Sequence, residues 1–398
     1  MNILVINSGS SSIKFQLISM PSQEVTCSGL VERIGLEDAI VNYKTAKVKY
    51  SEIHQIPSHK EGLEAVAKLL MHKEIGVIGN KNDIQAIGHR VVHGGSYFSD
   101  TVKVDQKVKD EIEDLFGLAP LHNPANLEGI EVAETIFPNA AQVAVFDTAY
   151  HQSIPERAYR FAIDKKLSDE QKIRVYGFHG TSHKFVASQM QDFLGKENCK
   201  KLISIHLGNG CSITAIKDGK SIDHSLGMGP VNGLIMGTRS GDIDQSVIFY
   251  LMDRLGYSSQ EANNFLQKKS GMLGLTGYSD LRDIEEAAMN GNRDCQLALE
   301  MAAYRIKKFI GSYIAALNGV DAIAFTAGIG ENSNTMRSLV CQNLNYFGIE
   351  LDEDLNEIRS KDTRIISKNE AQVKVVVCPT NEELEIAIQS FDLLNTGQ

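Results

Sequence analysis

The chain has 398 residues, 42% of them hydrophobic and 23% charged, and its formal net charge is −10 at pH 7. This length predicts two domains rather than one core, and the composition is typical of a folded globular protein. The acidic balance argues against nucleic-acid binding, which needs a basic face, and no apolar run is long enough to span a membrane.

The first part of the chain predicts strands that are followed by alternating helices and strands. Strands are predicted over residues 3–6, 14–19, 41–50, 84–88 and 142–146. Helices are predicted from Ser58 to residue 73, over 105–116, and over 123–136, where Asn123 is taken as the N-cap before Pro124 at N1.

The second part begins again with strands from residue 201, and an Asp218-Gly219 turn follows them. Further strands are predicted over 322–325 and 373–377. Helices are predicted over 182–194, 245–255, 260–269, 281–289, 294–317, 333–344 and 380–394. Strands that alternate with helices in both parts predict α/β layers in each half.

One pattern occurs twice, as Asn7-Ser-Gly-Ser-Ser-Ser12 and as His206-Leu-Gly-Asn-Gly-Cys211, each between two apolar runs. Gly9 and Gly208 are 199 residues apart, half the chain length. A tight loop that presents backbone N–H and hydroxyl groups can bind phosphate, although either loop alone is also compatible with a plain hairpin turn. The recurrence at half-chain spacing favours two related domains that bind a nucleotide.

Two arginines lie beside glycines, in Gly88-His-Arg-Val-Val-His-Gly-Gly95 and in Gly237-Thr-Arg-Ser-Gly241. The planar guanidinium group suits carboxylate and phosphate ligands. Arg90 precedes two valines, which favours a small ligand with one anionic end and one apolar end. A surface arginine near a turn is the alternative for Arg90 and for Arg239.

Four further positions are candidates for chemistry. Asp147 follows an apolar strand and Glu382 begins the last helix, and carboxylates there suit Mg²⁺, although for Glu382 a first-turn acid is the alternative. His179 lies between two glycines before a helix. This position is compatible with a contact to a ligand and also with a purely structural role. The turn Gly328-Ile-Gly-Glu-Asn332 suits a purine or ribose, or is an ordinary strand-to-helix turn. It matches neither the dinucleotide fingerprint nor the P-loop.

Seven motifs, in order along the whole chain, resemble those of the acetokinase family, which belongs to the sugar kinase, Hsp70 and actin superfamily. They are Asn7-Ser-Gly-Ser-Ser-Ser-Ile-Lys14, Gly88-His-Arg-Val-Val-His-Gly-Gly95, Tyr176-Gly-Phe-His-Gly-Thr-Ser-His183, His206-Leu-Gly-Asn-Gly210, Met236-Gly-Thr-Arg-Ser-Gly-Asp242, Ala327-Gly-Ile-Gly-Glu-Asn332 and Thr380-Asn-Glu-Glu383.

The resemblance implies an α/β chain of two duplicated actin-like (ribonuclease H-like) domains with an interdomain cleft. Residues 1–149 with the helix 383–398 would form the acyl-substrate domain, and residues 150–382 the nucleotide domain. It also implies reversible, direct in-line phosphoryl transfer from ATP to acetate, giving ADP and acetyl phosphate, with Mg²⁺ or Mn²⁺, in a homodimer. The scattered cysteines favour a reduced, cytoplasmic setting.

The resemblance also implies roles for individual residues. The metal site would use Asn7 and Glu382. The catalytic residues would be Asp147, His179 and Arg239. The acyl substrate would contact Arg90, Val92, Leu121, Phe178 and Pro230. ATP would contact Lys14, His206, Leu207, Gly208, Asn209, Gly210, Asp280, Leu281, Arg282, Gly328, Ile329, Gly330, Glu331 and Asn332.

The acid/base role usually given to Asp147 fits the chemistry poorly. A small carboxylic acid has a pKa close to that of Glu, about 4.3, so it is already ionised near pH 7 and needs no base. We therefore expect Asp147 mainly to orient Mg²⁺ or its waters.

The segment 223–233 departs from the family pattern at His224, Leu226, Gly229, Val231 and Asn232. The resemblance makes acetate the expected acid, and because this segment also carries Pro230 of the acyl pocket, propionate or butyrate kinase of the same family is the alternative. A non-metabolic actin- or Hsp70-like ATPase is the alternative from another class. Such an ATPase binds no small carboxylic acid, so its function would not require Arg90 beside apolar residues.

Overall fold

The computed structural model describes residues 1–396, which form two compact α/β units. The N-terminal unit comprises residues 1–150 together with the chain from 381, and the C-terminal unit comprises residues 151–380. The last two residues of the predicted helix 383–398 lie outside the described residues. Within residues 1–396, no helix is both long and apolar enough to cross a membrane.

The N-terminal unit is built on an eight-stranded sheet in the order β5-β4-β3-β2-β1-β6-β8-β7. Its strands are β1 (Asn2–Gly9), β2 (Ser12–Ser19), β3 (Glu24–Glu32), β4 (Ala39–Thr45), β5 (Lys49–His54), β6 (Ala86–Val91), β7 (Val102–Lys103) and β8 (Ala141–Phe146). Its helices are α1 (His59–Leu70), α2 (Gln106–Asp114), α3 (Asn123–Ile136) and the last helix of the chain, α15 (Glu382–Asn395). The neighbours β1, β6 and β8 are parallel to one another, and β1 to β5 are antiparallel in sequence.

Helices cover both faces of this sheet, and the central strand β1 is accordingly apolar on both of its sides. Ile3 and Val5 pack in a cluster with α15, whereas Leu4 and Ile6 pack in a second cluster with α1 and α3. Alternate strand residues point to opposite faces. A continuous apolar run is therefore the pattern of a central strand between two helical layers.

The C-terminal unit is built on a six-stranded sheet in the order β11-β10-β9-β12-β14-β13. Its strands are β9 (Lys201–Leu207), β10 (Cys211–Lys217), β11 (Lys220–His224), β12 (Ala322–Thr326), β13 (Arg364–Ile365) and β14 (Lys374–Val377). Its helices are α4 (Glu156–Tyr159), α5 (Lys165–Glu170), α6 (Gly180–Leu194), α7 (Ser246–Asp253), α8 (Ser259–Lys268), α9 (Gly271–Thr276), α10 (Leu281–Met289), α11 (Arg293–Leu317), α12 (Ala327–Asn332), α13 (Asn334–Cys341) and α14 (Glu353–Glu357).

The two sheets share one core topology. In the N-terminal unit the antiparallel strands β3, β2 and β1 are followed by the parallel strands β6 and β8. In the C-terminal unit β11, β10 and β9 are antiparallel, and β12 and β14 are parallel to β9. The duplication predicted from the two glycine loops is therefore confirmed, and so is the α/β fold class.

The predicted strands and helices are present, and two segments differ locally from the prediction. The β-type segment 41–50 is divided between β4 and β5, because Thr45 closes a turn in which its hydroxyl accepts from the amides of Lys47 and Val48 (3.2 and 3.1 Å). The glycine-rich turn at 328–332 is part of helix α12, which begins at Ala327 with φ of +63°. A short helix was not expected there because two glycines in five residues disfavour helix.

The N-terminal sheet is tightly packed around Gly29 on β3. It lies between Phe15 on β2 and Tyr43 on β4, whose rings stack with centroids 6.4 Å apart. A Cβ at Gly29 would lie 2.3 Å from Phe15 Cζ and 2.5 Å from the Asn42 carbonyl oxygen. We expect Gly29→Ala to lower the free energy of unfolding by about 2 kcal/mol, because the ring and the strand must move apart.

Gly117→Ala is the matched control in the same unit, since a Cβ there meets no atom within 4 Å. Its free energy of unfolding in urea should stay within about 0.5 kcal/mol of the native value. Equal stability of the two variants would contradict the close packing around Gly29.

Candidate active site

Three parallel strands of the N-terminal unit carry polar side chains at their carboxyl ends. Asn7 lies near the end of β1, Arg90 near the end of β6, and Asp147 directly after β8. The Asp147 amide donates to the Val91 carbonyl (3.0 Å), which continues the pairing of β6 with β8. Because the ends of adjacent parallel strands lie at one edge of a sheet, these predicted site residues share that edge.

Arg90 and Asp147 form a bidentate pair. Arg90 Nε donates to both carboxylate oxygens (3.1 Å each), and Arg90 Nη2 donates to Asp147 Oδ2 (2.6 Å). Burial alone would lower the pKa of Arg90, but Asp147 and Glu382 more than offset this and raise it. Asp147 is 1% exposed and the Arg90 side chain 19%, so part of the fixed Arg90 side chain stays exposed.

Two more acids, from the start of α15, join this pair. Glu382 Oε2 lies 3.8 Å from Arg90 Nη2, and Glu383 Oε1 lies 2.5 Å from Lys14 Nζ. Burial raises the pKa of Glu382, and so do Asp147 and Glu383, whereas Arg90 and Lys14 lower it. Burial is the largest cause of the net rise. Three carboxylates against the two cations Arg90 and Lys14 leave the group with one formal negative charge.

This excess of negative charge fits a bound cation. Within residues 1–396 no group of three or more His, Cys, Asp or Glu side chains is arranged to hold a metal ion. Mg²⁺, however, usually binds through one or two carboxylates, waters and substrate phosphates. The oxygens of Glu382 and of the Asn7 amide are ligands of the right type for such a site.

Asn123 supports the loop after Arg90 and is not the helix cap that the sequence predicted. Its Oδ1 accepts from the His93 amide (3.1 Å) and its Nδ2 donates to the His93 carbonyl (2.9 Å). The N-cap of α3 is His122, whose side chain makes no cap hydrogen bond. The Asn123 N-cap prediction was wrong because the amide is occupied by the His93 backbone.

Asn126, one turn further along α3, joins the two predicted motifs of this unit. Its Nδ2 donates to the Ser8 carbonyl (2.7 Å) in the first glycine loop, and its Oδ1 accepts from the Val92 amide (3.0 Å). Sequence reasoning missed this role for Asn123 and Asn126. Their i, i+3 spacing, which puts both amides on one helix face, was the available signal.

The predicted acyl-pocket residues differ in exposure. Val92, in the N-terminal unit, is half-buried, and Leu121 in the same unit is 55% exposed. Phe178, in the C-terminal unit, is buried. Pro230, in that unit, accepts a hydrogen bond at its carbonyl from Arg239 Nη1 (2.9 Å).

The second glycine loop connects β9 with β10 in the C-terminal unit. The Gly208 amide donates to the Gly210 carbonyl (3.1 Å), and the Asn209 carbonyl accepts from the Gly237 amide (3.1 Å). Cys211 Sγ donates to the Gly208 carbonyl (3.2 Å). These bonds hold the loop in a tight turn.

Two predicted catalytic side chains flank this loop. A Cβ on Gly210 would lie 3.4 Å from His179 Nε2 and 3.7 Å from Arg239 Nη1. The His179 ring stacks on the His206 ring, with centroids 4.3 Å apart. Burial lowers the pKa of Arg239 from its usual high value, and a guanidinium group remains a cation after such a shift. The structure therefore places an imidazole and a guanidinium group beside the predicted phosphate loop.

Behind His179 lies a buried network of histidines and serines that the sequence did not predict. Ser212 Oγ contacts His179 Nδ1 and His183 Nε2 (2.8 Å each), and His183 Nδ1 contacts Ser204 Oγ (2.9 Å). Burial lowers the pKa of His183 well below its usual value. The network therefore orients the His179 ring through neutral groups.

A cavity of about 740 Å³ lies in the same unit beside the second glycine loop. Eight predicted ATP residues line it: Gly208, Asn209, Asp280, Leu281, Arg282, Gly328, Ile329 and Asn332. Five residues that were not predicted also line it: Ser279, Glu285, Ser333, Asn334 and Arg359. The volume suits a cofactor-sized or nucleotide-sized ligand.

The other predicted ATP residues do not line this cavity. Leu207 lines a smaller apolar cavity beside it, and Gly330 is buried. Glu331 accepts from the Thr380 amide (3.2 Å), and His206 Nδ1 contacts Ser182 Oγ (2.8 Å). Lys14 belongs to the N-terminal unit, where it pairs with Glu383.

Two units of one actin-like topology, one with a cavity of nucleotide size and one with a partly exposed arginine, are typical of a phosphotransferase of the actin-like class. Within this class, the chain belongs to the acetokinase family, whose model matches residues 2–388. The resemblance seen in the motifs is thereby confirmed.

Relatives support this assignment over the full length. Acetate kinase of Flavobacterium johnsoniae is 60% identical over 394 residues, which cover 99% of this chain and 100% of that protein. Acetate kinase of Thermotoga maritima is 50% identical, with 99% of each chain covered.

Solved structures give the same result. The crystal structure of Porphyromonas gingivalis acetate kinase matches with a TM-score of 0.94 at 43% identity, covering 99% of this chain and 100% of that one. A propionate kinase from Francisella tularensis matches with a TM-score of 0.91 at 42% identity, covering 98% of each chain.

The altered segment 223–233 begins with a carboxylate whose ionisation opposes folding. Burial raises the pKa of Asp223 to about 6 from an ordinary value of 3.8, although the His224 amide, which donates to Asp223 Oδ1 (2.8 Å), acts in the opposite direction. Between about pH 4 and 6 the folded protein therefore holds a proton that the unfolded chain releases. Because of this difference, the free energy of unfolding falls as pH rises through this range.

Asp223→Asn, which cannot ionise, should be more stable than the native protein above pH 7, by at most about 3 kcal/mol. The difference should shrink as pH falls from 7 to 4.5. Urea unfolding across this range measures it, with the exposed Asp253→Asn as the control. A constant difference at every pH would contradict the raised pKa.

Proposed function

We propose that this chain catalyses the reversible phosphorylation of acetate by ATP, with acetyl phosphate and ADP as products. The observation that carries the proposal is Arg90, held by Asp147 and only partly exposed, with half-buried Val92 two residues further along the chain. A guanidinium group binds a carboxylate, and an adjacent apolar side chain suits a methyl group. Acetate combines both features.

We assign ATP to the cavity beside the second glycine loop. The loop amides of Asn209 and Gly210 suit the phosphates, because backbone N–H groups in a tight turn bind anions. A Cβ at Gly328 would meet no atom within 4 Å. The protein's own packing therefore does not require glycine there, and we assign the free space to the purine or ribose.

His179 and Arg239 would stabilise the phosphoryl group during transfer. Both lie beside Gly210, where their donors suit the equatorial oxygens of the transferring group. Phosphoryl transfer depends on positioning and on neutralisation of charge rather than on covalent help from the protein. No proton has to be removed from acetate, which is already ionised near pH 7.

Mg²⁺ bound with ATP would neutralise negative charge on the phosphates. Glu382 and Asn7 are the residues of this chain that would hold it, by the oxygen chemistry of their side chains. Glu383 and Lys14 would keep the start of α15 beside β2 through their ion pair.

The bidentate pair favours a role for Asp147 different from the one expected from sequence. We propose that Asp147 is a positioning residue, which fixes the plane of the Arg90 guanidinium group for the carboxylate of acetate. A bidentate pair sets both the distance between the two groups and the orientation of the guanidinium plane.

We also propose, from the family resemblance, that the protein acts as a cytoplasmic homodimer. The six cysteines are all free and buried, which suits a reducing compartment. Exposed apolar side chains at Phe249, Tyr250 and Tyr304 supply surface of the kind that subunit interfaces bury.

The proposed reaction is tested by trapping the acyl product as a hydroxamate, with ATP, hydroxylamine and acetate, propionate or butyrate. We expect the highest kcat/KM for acetate, with each added methylene costing about 1–3 kcal/mol. Arg90→Lys should raise the KM for acetate at least tenfold and change the KM for ATP less than threefold. Lysine lacks the planar guanidinium group, whose two parallel N–H donors bind a carboxylate.

The outcomes separate the alternatives. A kcat/KM for butyrate ten times that for acetate would overturn the acetate assignment, and the propionate kinase neighbour makes propionate the nearer competitor. ATP hydrolysis without a hydroxamate from any acid would favour an ATPase of the same superfamily.

Asp147→Asn should raise the KM for acetate about tenfold, because an amide accepts guanidinium hydrogen bonds at one atom, whereas a carboxylate accepts them at two. The acid limb of the pH profile of kcat should persist, since acetate needs no base. Glu134→Gln, which breaks the Lys109–Glu134 ion pair (3.0 Å) elsewhere in this unit, is the control. Loss of the acid limb in Asp147→Asn alone would show an acid/base role instead.

A further inference from the structure

The segment that carries His179 has an unusual backbone. Gly177 has φ of +77° and His179 has φ of +57°, so left-handed residues stand on both sides of Phe178. A left-handed conformation is uncommon for a residue with a side chain, and it persists only where the surroundings hold it. The position of the His179 ring therefore depends on what holds the Phe178 peptide groups.

Two buried histidines hold both polar groups of Phe178. The Phe178 amide donates to His224 Nε2 (3.1 Å), and His151 Nε2 lies 2.9 Å from the Phe178 carbonyl oxygen. The two rings lie against each other, with centroids 4.1 Å apart. Both histidines are almost fully buried.

These contacts determine where the ring protons lie. A carbonyl oxygen only accepts, so His151 carries its proton on Nε2. An amide only donates, so His224 Nε2 carries none, and the proton of a neutral His224 is on Nδ1, which lies 2.7 Å from Thr214 Oγ1. Burial, together with the neighbouring His151 and His183, lowers the pKa of His224 well below its usual value, so the ring is neutral.

Neighbouring contacts come from the same part of the chain. Gly227 accepts at its carbonyl from the amides of Tyr176 (3.0 Å) and Gly177 (3.4 Å), and His151 Nδ1 contacts Ser221 Oγ (2.9 Å). The segment 221–227 thus supports residues 176–178, directly before His179.

We propose that His224, as the Nδ1–H tautomer, is a positioning residue for phosphoryl transfer, since it holds the Phe178 amide and thereby places the His179 ring beside Gly210. Ser212 orients the His179 ring through Nδ1. The Phe178 backbone fixes the position of the neighbouring His179 backbone, from which the ring extends. The inference rests on the proposed function, in which His179 stabilises the phosphoryl group.

Two amide variants test the proposal. A Gln oxygen can occupy the place of imidazole Nε2 and accept from the Phe178 amide, whereas Asn reaches only as far as Nδ1. We expect His224→Asn to lower kcat about tenfold, with the KM for acetate and the KM for ATP within about twofold of native, because His179 would act during transfer. His224→Gln should recover most of kcat.

A double-mutant cycle separates positioning from general destabilisation. In a His179→Ala background, His224→Asn should change kcat less than twofold, because its effect passes through the His179 ring. A similar loss of kcat from His224→Asn with and without His179 would overturn the proposal, and so would equal kcat values for His224→Asn and His224→Gln.

A measurement without turnover completes the test. ¹⁵N NMR of histidine-labelled protein should show His224, assigned by its loss in His224→Gln, as the Nδ1–H tautomer. The Nε2–H tautomer at this residue would overturn the inference. A native chain that forms no hydroxamate would instead contradict the proposed function, and the tautomer would still be measurable.

Discussion

The parallel pairing of strands that follow each antiparallel hairpin is the constraint on which the rest of this molecule depends. In the N-terminal unit, β1, β6 and β8 run in one direction, and in the C-terminal unit β9, β12 and β14 do the same. Residues at the carboxyl ends of such strands share one edge of a sheet. Arg90 and Asp147, 57 residues apart, become hydrogen-bonded partners for this reason.

The two units share one topology but carry different side chains at the corresponding edges of their sheets. The edge of the N-terminal sheet carries charged groups, in which Arg90 and Lys14 pair with three carboxylates. Beside the matching loop of the C-terminal unit are imidazoles and hydroxyls, with Arg239 the cation next to Gly210. The first arrangement suits a small anion and a metal ion, and the second suits a phosphoryl group.

Burial explains why the histidines His183 and His224 of the C-terminal unit are neutral. A histidine removed from water keeps its proton less readily, and His183 and His224 both have lowered pKa values for this reason. Neutral imidazoles can then donate at one nitrogen and accept at the other. This property allows His151 and His224 to hold a carbonyl and an amide of the same residue.

The sequence by itself determined the α/β class, the duplication and most of the candidate residues, because hydrophobic period, glycine loops and motif order are local properties. Tertiary structure alone decided the bidentate contact of Asp147 with Arg90, the roles of Asn123 and Asn126, and the contact of His224 with Phe178. Each of these joins residues from separate elements, and hydrogen-bond partners across such distances leave no periodic signal in one chain. The Asn123 cap prediction was wrong for that reason, since a distant backbone took the amide.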